Sequence, residues 1–267
     1  MFSQPMFPFL LDVNNEGELH IETMSWLIIL MGGCAFLALQ FIDMPYGRYT
    51  SSKFGFLVNV KAAWFIQEIP SLAIPLYLLF INAGNKPVQL PNQLLLGMFI
   101  CHYTHRSLLF PFLIRGGKPS PFIAFALAFT FCTYNGYLQA RYLIKYAVYT
   151  SNWITDPRFL TGSALWFLGL LVNLHSDHIL RNLRKPGETG YKIPRGGMFQ
   201  YVSGANFLGE IVEWMGFSVA CWSLPSAAFA IFTFLVLASR AAQHHRWYLE
   251  KFEDYPKTRM VLIPFLY

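Results

Sequence analysis

Seven long apolar runs constrain this chain more than any other feature of its sequence. Of its 267 residues, 55% are hydrophobic and only 13% are charged, whereas about a quarter of the residues in a soluble domain are charged. A helix that crosses a bilayer needs about 20 mostly apolar residues. The predicted spans are Met24–Ile42, Phe54–Ile81, Leu90–Leu113, Phe122–Tyr146, Phe159–Leu180, Phe199–Trp222 and Leu224–Ala242. We therefore predict an all-α polytopic membrane protein with seven transmembrane helices.

The distribution of basic residues predicts how these helices are oriented. Fifteen of the 20 Lys and Arg residues fall in alternate connections, namely residues 43–61, 114–121, 181–195 and the segment from Arg240 onward. Loops rich in Lys and Arg stay on the cytosolic side of a membrane. The N-terminus is thus predicted outside and the C-terminus in the cytosol. This placement accounts for the net charge of +6 without nucleic-acid binding.

The predicted domain organisation is simple. Residues 1–23 form an acidic, non-cytosolic segment, which lacks the basic start of a signal peptide. Residues 24–267 form a single membrane domain with cytosolic loops, and no internal repeat or second soluble domain is apparent.

Polar residues inside the apolar runs indicate a functional site, because such groups are costly in lipid. Asn173 and Asp177 lie four residues apart and share one helix face, and so do Asn206, Glu210 and Glu213. The second and third spans add a further set, Gln67, Glu68, His102, Tyr103, His105 and Arg106. A phenol and a protonated carboxyl group can both donate hydrogen bonds to a carbonyl oxygen, which makes Tyr103 and Glu68 candidate catalytic groups. The alternatives are a carboxylate that reaches the interface and an ordinary interfacial tyrosine.

The histidines allow a metal site as an alternative, whereas the cysteines indicate neither a zinc site nor a disulfide framework. His102/His105 and His175/His178 form two HxxH pairs, and His244 and His245 are adjacent. Membrane di-iron oxygenases use histidine-rich boxes, but these spacings lack the box that ends in two adjacent histidines. The four cysteines, Cys34, Cys101, Cys132 and Cys221, lie singly in apolar runs and are predicted to be free thiols. No metal is expected.

The basic loop between the two polar stripes is a candidate binding site for an anionic ligand. The sequence contains neither a GxGxxG nor a GxxxxGK[ST] motif, so a nucleotide would have to be held by helix ends and loops. Arg184, Lys185, Lys192 and Arg195 could pair with phosphates. The alternative is a loop that is basic only because it sets the membrane topology.

Several segments together resemble the steroid 5α-reductase family. They are AAWFIQEIPS, HYTHR, HSDHILR, LRKPGETGYKIPRGGMFQYVSGANFLGEIVEW and HHRWYLEKFEDYPKTRMVLIPFLY. The resemblance covers the chain from about Lys61 to Tyr267 and is most specific in the central loop and the tail. The N-terminal segment lies outside it and suggests a divergent member, such as a bacterial one.

The resemblance implies a seven-helix fold and an NADPH-dependent reduction of the Δ4 double bond of a 3-oxo-Δ4-steroid. It implies that Glu68 and Tyr103 hydrogen-bond the C3 ketone, with Gln67 beside them. The residues implied for the nicotinamide and ribose are Asn173, Asp177, Asn206, Glu210 and Tyr248, and those for the diphosphate and adenosine are Arg184, Tyr191 and Lys192. The steroid pocket is implied to include Trp64, Phe131, Phe207 and Leu237. The partners are then a steroid and membrane lipid, in a bacterial inner membrane or the endoplasmic reticulum.

One loop departs from the family pattern. Where the family has an Asn and an Arg, this chain has Ile114 and Lys118, with one extra residue between them. This departure puts one phosphate contact, assigned to Lys118, in doubt.

Three competing functions stay open at the level of sequence. A related membrane enoyl or polyprenal reductase would use the same machinery with another pocket shape. An isoprenylcysteine-type methyltransferase would bind S-adenosylmethionine, whose lack of phosphate disagrees with the basic cluster. A non-enzymatic seven-helix receptor or carrier would leave the pairing of Glu68 with Tyr103 unexplained.

Overall fold

The computed structural model describes residues 16–83, 88–185 and 187–267 of the chain. Eight α-helices lie in these residues: α1 Glu16–Ala38, α2 Val60–Asn82, α3 Leu90–Thr104, α4 Phe110–Leu113, α5 Phe122–Arg141, α6 Pro157–Arg181, α7 Ala205–Cys221 and α8 Leu224–Lys251. A π-helical turn, His105–Leu109, joins α3 to α4, and a second, Tyr142–Tyr146, extends α5. Two short strands, β1 Leu57–Val58 and β2 Ser120–Pro121, pair antiparallel. The predicted helical fold class is confirmed.

Four of these helices, α1, α2, α6 and α8, are long and apolar enough to cross a membrane. They agree with an integral membrane protein. The number seven and the orientation of the termini stay predictions.

Several predicted span boundaries were wrong. Residues 54–59 lie outside α2, because β1 pairs with β2 there and the Asn59 side chain caps α2 by accepting from the backbone N–H groups of Lys61 and Ala62. Residues 199–204 are also outside α7, since Gly197–Gln200 forms a short 3-10 helix before it. At the other end of the chain, α8 continues nine residues past the predicted end at Ala242, to Lys251. In addition α1 starts at Glu16, ahead of the predicted Met24, so part of the predicted acidic segment is helical.

Glycines allow α6 and α7 to pack with their backbones in contact. Gly162 and Gly169 lie seven residues apart on α6, and Gly209 and Gly216 lie seven apart on α7. A Cβ atom on Gly169 would lie 2.6 Å from Glu213 Cα, and one on Gly209 would lie 2.8 Å from Asn173 Cα. Both distances are far below van der Waals contact, so a larger residue would force the helices apart. We call these four residues the glycine seam.

The chain after α8 folds back against the start of α7. Ser203 and Gly204 donate backbone hydrogen bonds to the carbonyl oxygens of Met260 and Val261, at 2.8 and 3.0 Å. The Arg259 side chain is buried and donates to Pro194 O at 3.1 Å. The tail therefore fixes the segment that leads from the basic loop into α7.

Candidate active site

A cavity of about 130 Å³ lies among α2, α3, α5, α7 and α8. We call it the inner cavity. Its polar lining consists of Glu68, Tyr103, Cys132, Glu210 and Thr233, and its apolar lining includes Phe131, Phe229, Phe232 and Leu237. Helices distant in sequence thus bring together five of the predicted residues, which are Glu68, Tyr103, Phe131, Glu210 and Leu237. Aromatic and aliphatic walls with a few polar groups are typical of a site for a small apolar ligand.

The carboxyl group of Glu68 is held from both sides. Gln67 Nε2 donates to Glu68 Oε1 at 3.4 Å, and Cys132 Sγ donates to Oε2 at 3.6 Å. Gln67 is itself buried. The two contacts fix the carboxyl orientation at the cavity wall, and Cys132 is a contributor that the sequence did not indicate.

Tyr103 is locked by aromatic packing. Its ring lies 4.7 Å from Phe99, 5.0 Å from His102 and 5.9 Å from Trp214 between centroids, and only 4% of the residue is exposed. Such packing restricts the ring to one orientation. The phenol is therefore preorganised at the cavity, as a hydrogen-bond donor to a bound carbonyl would need to be.

Arg106 links the inner cavity to the polar faces of α6 and α7. Its guanidinium donates to Asp177 Oδ2 at 3.1 Å and to Glu210 Oε2 at 3.5 Å. It also lies over the rings of Phe110, at 4.5 Å, and Trp64, at 5.2 Å. The sequence had placed Arg106 among the polar residues of the third span without a role. A cation inside an apolar span needs carboxylate partners. This requirement could have indicated from the sequence that Arg106 pairs with Asp177 and Glu210.

A second buried pair joins α3 to α7 one turn away from Arg106. His102 Nδ1 lies 2.7 Å from Glu213 Oε1, and the two side chains are 2% and 0% exposed. Glu213 Oε2 has no hydrogen-bond partner among the described residues. Together with the Arg106 contacts, this pair fixes how α3, which carries Tyr103, sits against α7.

We expect Glu213→Leu to lower the free energy of unfolding by about 3 kcal/mol, because the buried His102 ring would lose its hydrogen bond to the Glu213 carboxyl group. Chemical denaturation in detergent would measure the change. The double variant His102→Leu/Glu213→Leu should recover part of the loss, since it removes both polar groups. Equal stability of Glu213→Leu and the unmodified protein would contradict the importance of this pair.

The predicted cofactor residues of α6 and α7 meet at the seam between these helices. Asn173 Nδ2 donates to the backbone oxygen of Asn206 at 3.0 Å. Asn173 is 1% exposed, and its Oδ1 atom has no partner within the described part of the chain. A buried acceptor without a donor is costly, so this amide is suited to accept a hydrogen bond from a ligand.

A second cavity, of about 200 Å³, lies near the loop before α2 and the last turns of α8. We call it the outer cavity. It is lined by Met44, Tyr46, Gly47, Arg48, Tyr49, Tyr191, Arg240, Gln243 and His244. Of these residues, only Tyr191 had been assigned to a site from the sequence. The others come from a loop and a helix that carry no recognisable nucleotide motif.

Arg48 is the central cation of the outer cavity. Its Nη2 atom donates to Tyr248 Oη at 3.1 Å, and its guanidinium lies over the rings of Trp247, at 4.2 Å, and Tyr191, at 5.5 Å. Its Nη1 atom is buried without a partner among the residues described. Nearby, burial raises the pKa of Tyr49 to about 12, so this phenol stays neutral and donates to Gln243 O at 3.0 Å. Arg48 and Tyr248 therefore provide a positive, aromatic surface for an anionic or planar ligand.

Two predicted steroid residues do not line the inner cavity. Phe207 packs against His244, at 5.3 Å between ring centroids, and under the guanidinium of Arg240, at 4.5 Å. Trp64 packs on Phe110 and Arg106. Trp64 thus lies beside Arg106, which faces α6 and α7. Phe207 lies beside Arg240 and His244, which line the outer cavity.

The predicted phosphate-binding residues Arg184, Lys192 and Lys118 are exposed. Arg184 approaches Gly190 O at 3.5 Å, and Lys192 forms an ion pair with Glu188. The hydrogen bond from Lys192 holds the pKa of the Glu188 carboxyl below its usual value. Lys118 lies on the exposed surface of its loop. The role of these three cations stays a prediction.

The histidines that are paired in the sequence contact different groups in the structure. His102 faces Glu213, His178 contacts Asn182, and His244 and His245 turn to Phe207 and to Ser203 respectively. Within residues 16–83, 88–185 and 187–267, no group of three or more His, Cys, Asp or Glu side chains is arranged to hold a metal ion.

Comparison with known proteins identifies the family. Residues 118–267 match the family model described as 3-oxo-5-alpha-steroid 4-dehydrogenase. The chain is 59% identical over 249 residues to the bovine (Bos taurus) 3-oxo-5-alpha-steroid 4-dehydrogenase 1, a match that covers 92% of this chain and 96% of that protein. It is 53% identical over 247 residues to the Homo sapiens protein of the same name, covering 92% and 95%. It is also 48% identical over 250 residues to the Homo sapiens 3-oxo-5-alpha-steroid 4-dehydrogenase 2, covering 90% and 96%.

These relatives are mammalian, and they give no support to the suggested bacterial origin. The family model spans more than half of the chain, including both polar stripes and the tail that carry much of the candidate site. Because the similarity covers nearly the whole chain, the chain belongs to the oxidoreductase family of 3-oxo-5-alpha-steroid 4-dehydrogenases.

Proposed function

We propose that this protein reduces the Δ4 double bond of 3-oxo-Δ4-steroids to 5α-3-oxosteroids, with NADPH as the hydride donor. The observation that carries the proposal is the inner cavity. Its lining includes Glu68 and Tyr103, which are candidate hydrogen-bond donors to a ketone oxygen. It also includes Glu210, which belongs to the proposed cofactor site. The names of the family's relatives support the same substrate class.

The proposed topology is seven transmembrane helices in a single reductase domain, residues 24–267. The N-terminus is outside and the loops that bind NADPH are cytosolic, as the distribution of Lys and Arg predicts. Residues 1–15 of the acidic N-terminal segment lie outside the described residues.

The residues present fit NADPH. Asn173 Oδ1 and Arg48 Nη1 are buried polar atoms that lack partners among the described residues, and these are the kinds of atom that a carboxamide and a phosphate would satisfy. The nicotinamide and ribose would be held by Asn173, Asp177, Asn206, Glu210 and Tyr248. The diphosphate and adenosine would be held by Arg184, Tyr191, Lys192 and Lys118. We add Arg48 and Arg240 to this proposal, because they line the outer cavity with Tyr191.

The catalytic role of the chain is to stabilise charge on the substrate. NADPH, when bound, supplies a hydride that adds to C5 of the conjugated enone. Tyr103 and Glu68 donate hydrogen bonds to the C3 oxygen, where negative charge develops as an enolate forms. Preorganised donors in a dry cavity stabilise that charge more in the transition state than in the ground state. A proton delivered from solvent to C4 of the enolate then completes the reduction.

Supporting residues keep these donors in place. Gln67 and Cys132 orient Glu68, and the aromatic packing around Tyr103 excludes water from its ring. Arg106 is paired with both Asp177 and Glu210, at 3.1 and 3.5 Å. These carboxylates can therefore lie beside an apolar substrate without the cost of unpaired buried charge.

The decisive assay supplies membranes that contain the protein with NADPH and testosterone or progesterone. The configuration at C5 of the product is then determined. We expect a 5α product, and failure to form one with either steroid would refute the steroid assignment. Oxidation of NADPH with an enoyl thioester or a polyprenal instead would identify the related reductases.

Asn173→Ala should raise the Kd for NADPH about tenfold or more, because one hydrogen-bonded amide is lost from the site. Fluorescence titration of NADPH would measure it. Asn92 offers a matched control, since it is also buried, donates from Nδ2 to the Leu143 oxygen at 2.8 Å and has an unpartnered Oδ1. Asn92→Ala should affect stability but not the Kd. Equal effects of the two variants on the Kd would contradict the assignment of Asn173.

A further inference from the structure

The segment Val261–Tyr267 exposes a cluster of large apolar side chains at the end of the described chain. Phe265 and Leu266 are 81% and 78% exposed, and Tyr201, whose ring contacts Phe265 at 5.5 Å, is 43% exposed. Leu262, in contrast, is completely buried against Phe207, Ile211 and Leu237. We call Tyr201 together with Ile263–Tyr267 the tail cluster.

The position of the tail cluster along the helices places it beside the membrane. A Cβ atom on Gly204 would lie 2.8 Å from Ala241 Cβ, so the start of α7 is level with Ala241 of α8. From Ala241, α8 runs on for ten residues to Lys251, about 15 Å at 1.5 Å per residue. The tail then returns over the same distance, because Met260 and Val261 are hydrogen-bonded to Ser203 and Gly204.

The tail continues past the level of the start of α7, toward the apolar part of α8. Leu262 packs on Leu237, which lies one turn from Ala241 on the side of the apolar span, and on Ile211, in the second turn of α7. The residues that follow Leu262 are therefore at the depth of the first turns of the span, not at the depth of the protruding end of α8.

The backbone of the tail cluster suits this depth. Leu262 donates its backbone N–H to Tyr267 O at 2.7 Å, and Leu266 and Tyr267 both donate to Ile263 O, at 3.1 and 3.0 Å. Pro264 has no N–H group to satisfy. A turn that satisfies several of its backbone hydrogen bonds internally enters the boundary of the lipid at lower cost than an open loop does.

We propose that Ile263–Tyr267 is a membrane-docking turn, whose occupant is the acyl and headgroup boundary of the cytosolic leaflet. Phe265 and Leu266 insert, and the aromatic ring of Tyr201 lies at the interface as tyrosines commonly do. The inference rests on the proposed topology but not on the proposed reaction.

Photolabelling tests this proposal on the unmodified, full-length protein in phospholipid nanodiscs. A lipid-soluble diazirine is activated by light, and trypsin digestion separates the peptide Met260–Tyr267 from the peptide Phe252–Lys257 of the same tail. Phe252–Lys257 includes Asp254, whose side chain is 75% exposed, and is predicted to lie in water. We expect at least fivefold more label on Met260–Tyr267, centred on Phe265 and Leu266. Equal, low labelling of the two peptides would overturn the proposal.

A water-soluble diazirine distinguishes lipid from another covering molecule. Under the proposal, this probe labels Phe252–Lys257 and spares Phe265 and Leu266. If both probes spare Phe265 and Leu266, a second copy of the chain or another protein covers the tail cluster and the proposal is wrong. The test is independent of steroid reduction. The tail can be labelled by the lipid-soluble probe in a protein that does not reduce steroids, and an active reductase can have an unlabelled tail.

Discussion

Tyr103→Phe is expected to lower kcat at least ~100-fold while the protein stays folded and binds NADPH. The phenol is the donor that we assign to the C3 oxygen, and loss of one such donor costs about 10²–10³ in kcat. The ring itself would keep its packing against Phe99 and Trp214. Glu68→Gln should be comparably impaired, since its carboxyl group shares the inner cavity. Single-turnover reduction of testosterone with saturating NADPH would measure both variants.

Tyr134 provides a matched control for the tyrosine substitution. Its hydroxyl group donates to Met24 O at 3.2 Å and does not line the inner cavity. Tyr134→Phe should therefore cost about 1 kcal/mol of stability at most and leave kcat within about twofold, as a loss of one remote hydrogen bond would. Near-normal turnover in both Tyr103→Phe and Glu68→Gln would refute the catalytic assignment, whatever the activity of the control.

Gly169→Ala is expected to destabilise the protein by about 3 kcal/mol and to lower the melting temperature accordingly. The added methyl group would overlap the backbone of Glu213, and backbone cannot move aside as a flexible side chain can. Forcing α6 and α7 apart also separates Asn173 from Asn206 and disturbs the residues around Arg106. NADPH affinity should therefore fall together with stability. Thermal unfolding in detergent and titration with NADPH would measure the two effects.

Gly97 is the matched control for the glycine seam. It lies inside α3, and a Cβ atom added there would have no atom within 4 Å. Gly97→Ala should be neutral or should stabilise by up to about 1 kcal/mol, because alanine favours a helix more than glycine does. If Gly169→Ala were as stable as Gly97→Ala, the close approach of α6 and α7 would not be required.

Sequence reasoning named five of the residues that line the inner cavity and one, Tyr191, of those that line the outer cavity. Glu68 and Tyr103 are predicted to be catalytic, Phe131 and Leu237 to line the steroid pocket and Glu210 to bind the cofactor, and all five line the inner cavity. Family motifs carried these assignments, since polar residues in apolar spans and a specific central loop can be recognised without coordinates. In the outer cavity, Arg48 and Arg240 were read only as charges that set topology. Nothing in their local sequence indicates that they meet.

The glycine seam shows why the remaining details need the tertiary structure. Seven-residue spacing of glycines is visible on both α6 and α7 once it is sought, but the spacing does not say which helix faces which. Arg106 pairs with carboxylates 71 and 104 residues away. Those pairings depend on the rotation of three helices about their axes, which backbone contact at the seam and the His102–Glu213 pair determine.

By itself, the sequence determined that the chain forms long apolar helices, that polar residues share faces within them, and which family the chain resembles. These properties follow from local composition, because lipid forces each backbone segment to satisfy its own hydrogen bonds as a helix. The tertiary structure alone decided that Arg106 holds Asp177 and Glu210, that Arg48 faces Tyr248, and that Leu262 returns to pack on Leu237. Each of these contacts joins segments far apart in the chain, so its geometry is set by helix packing and not by any local pattern.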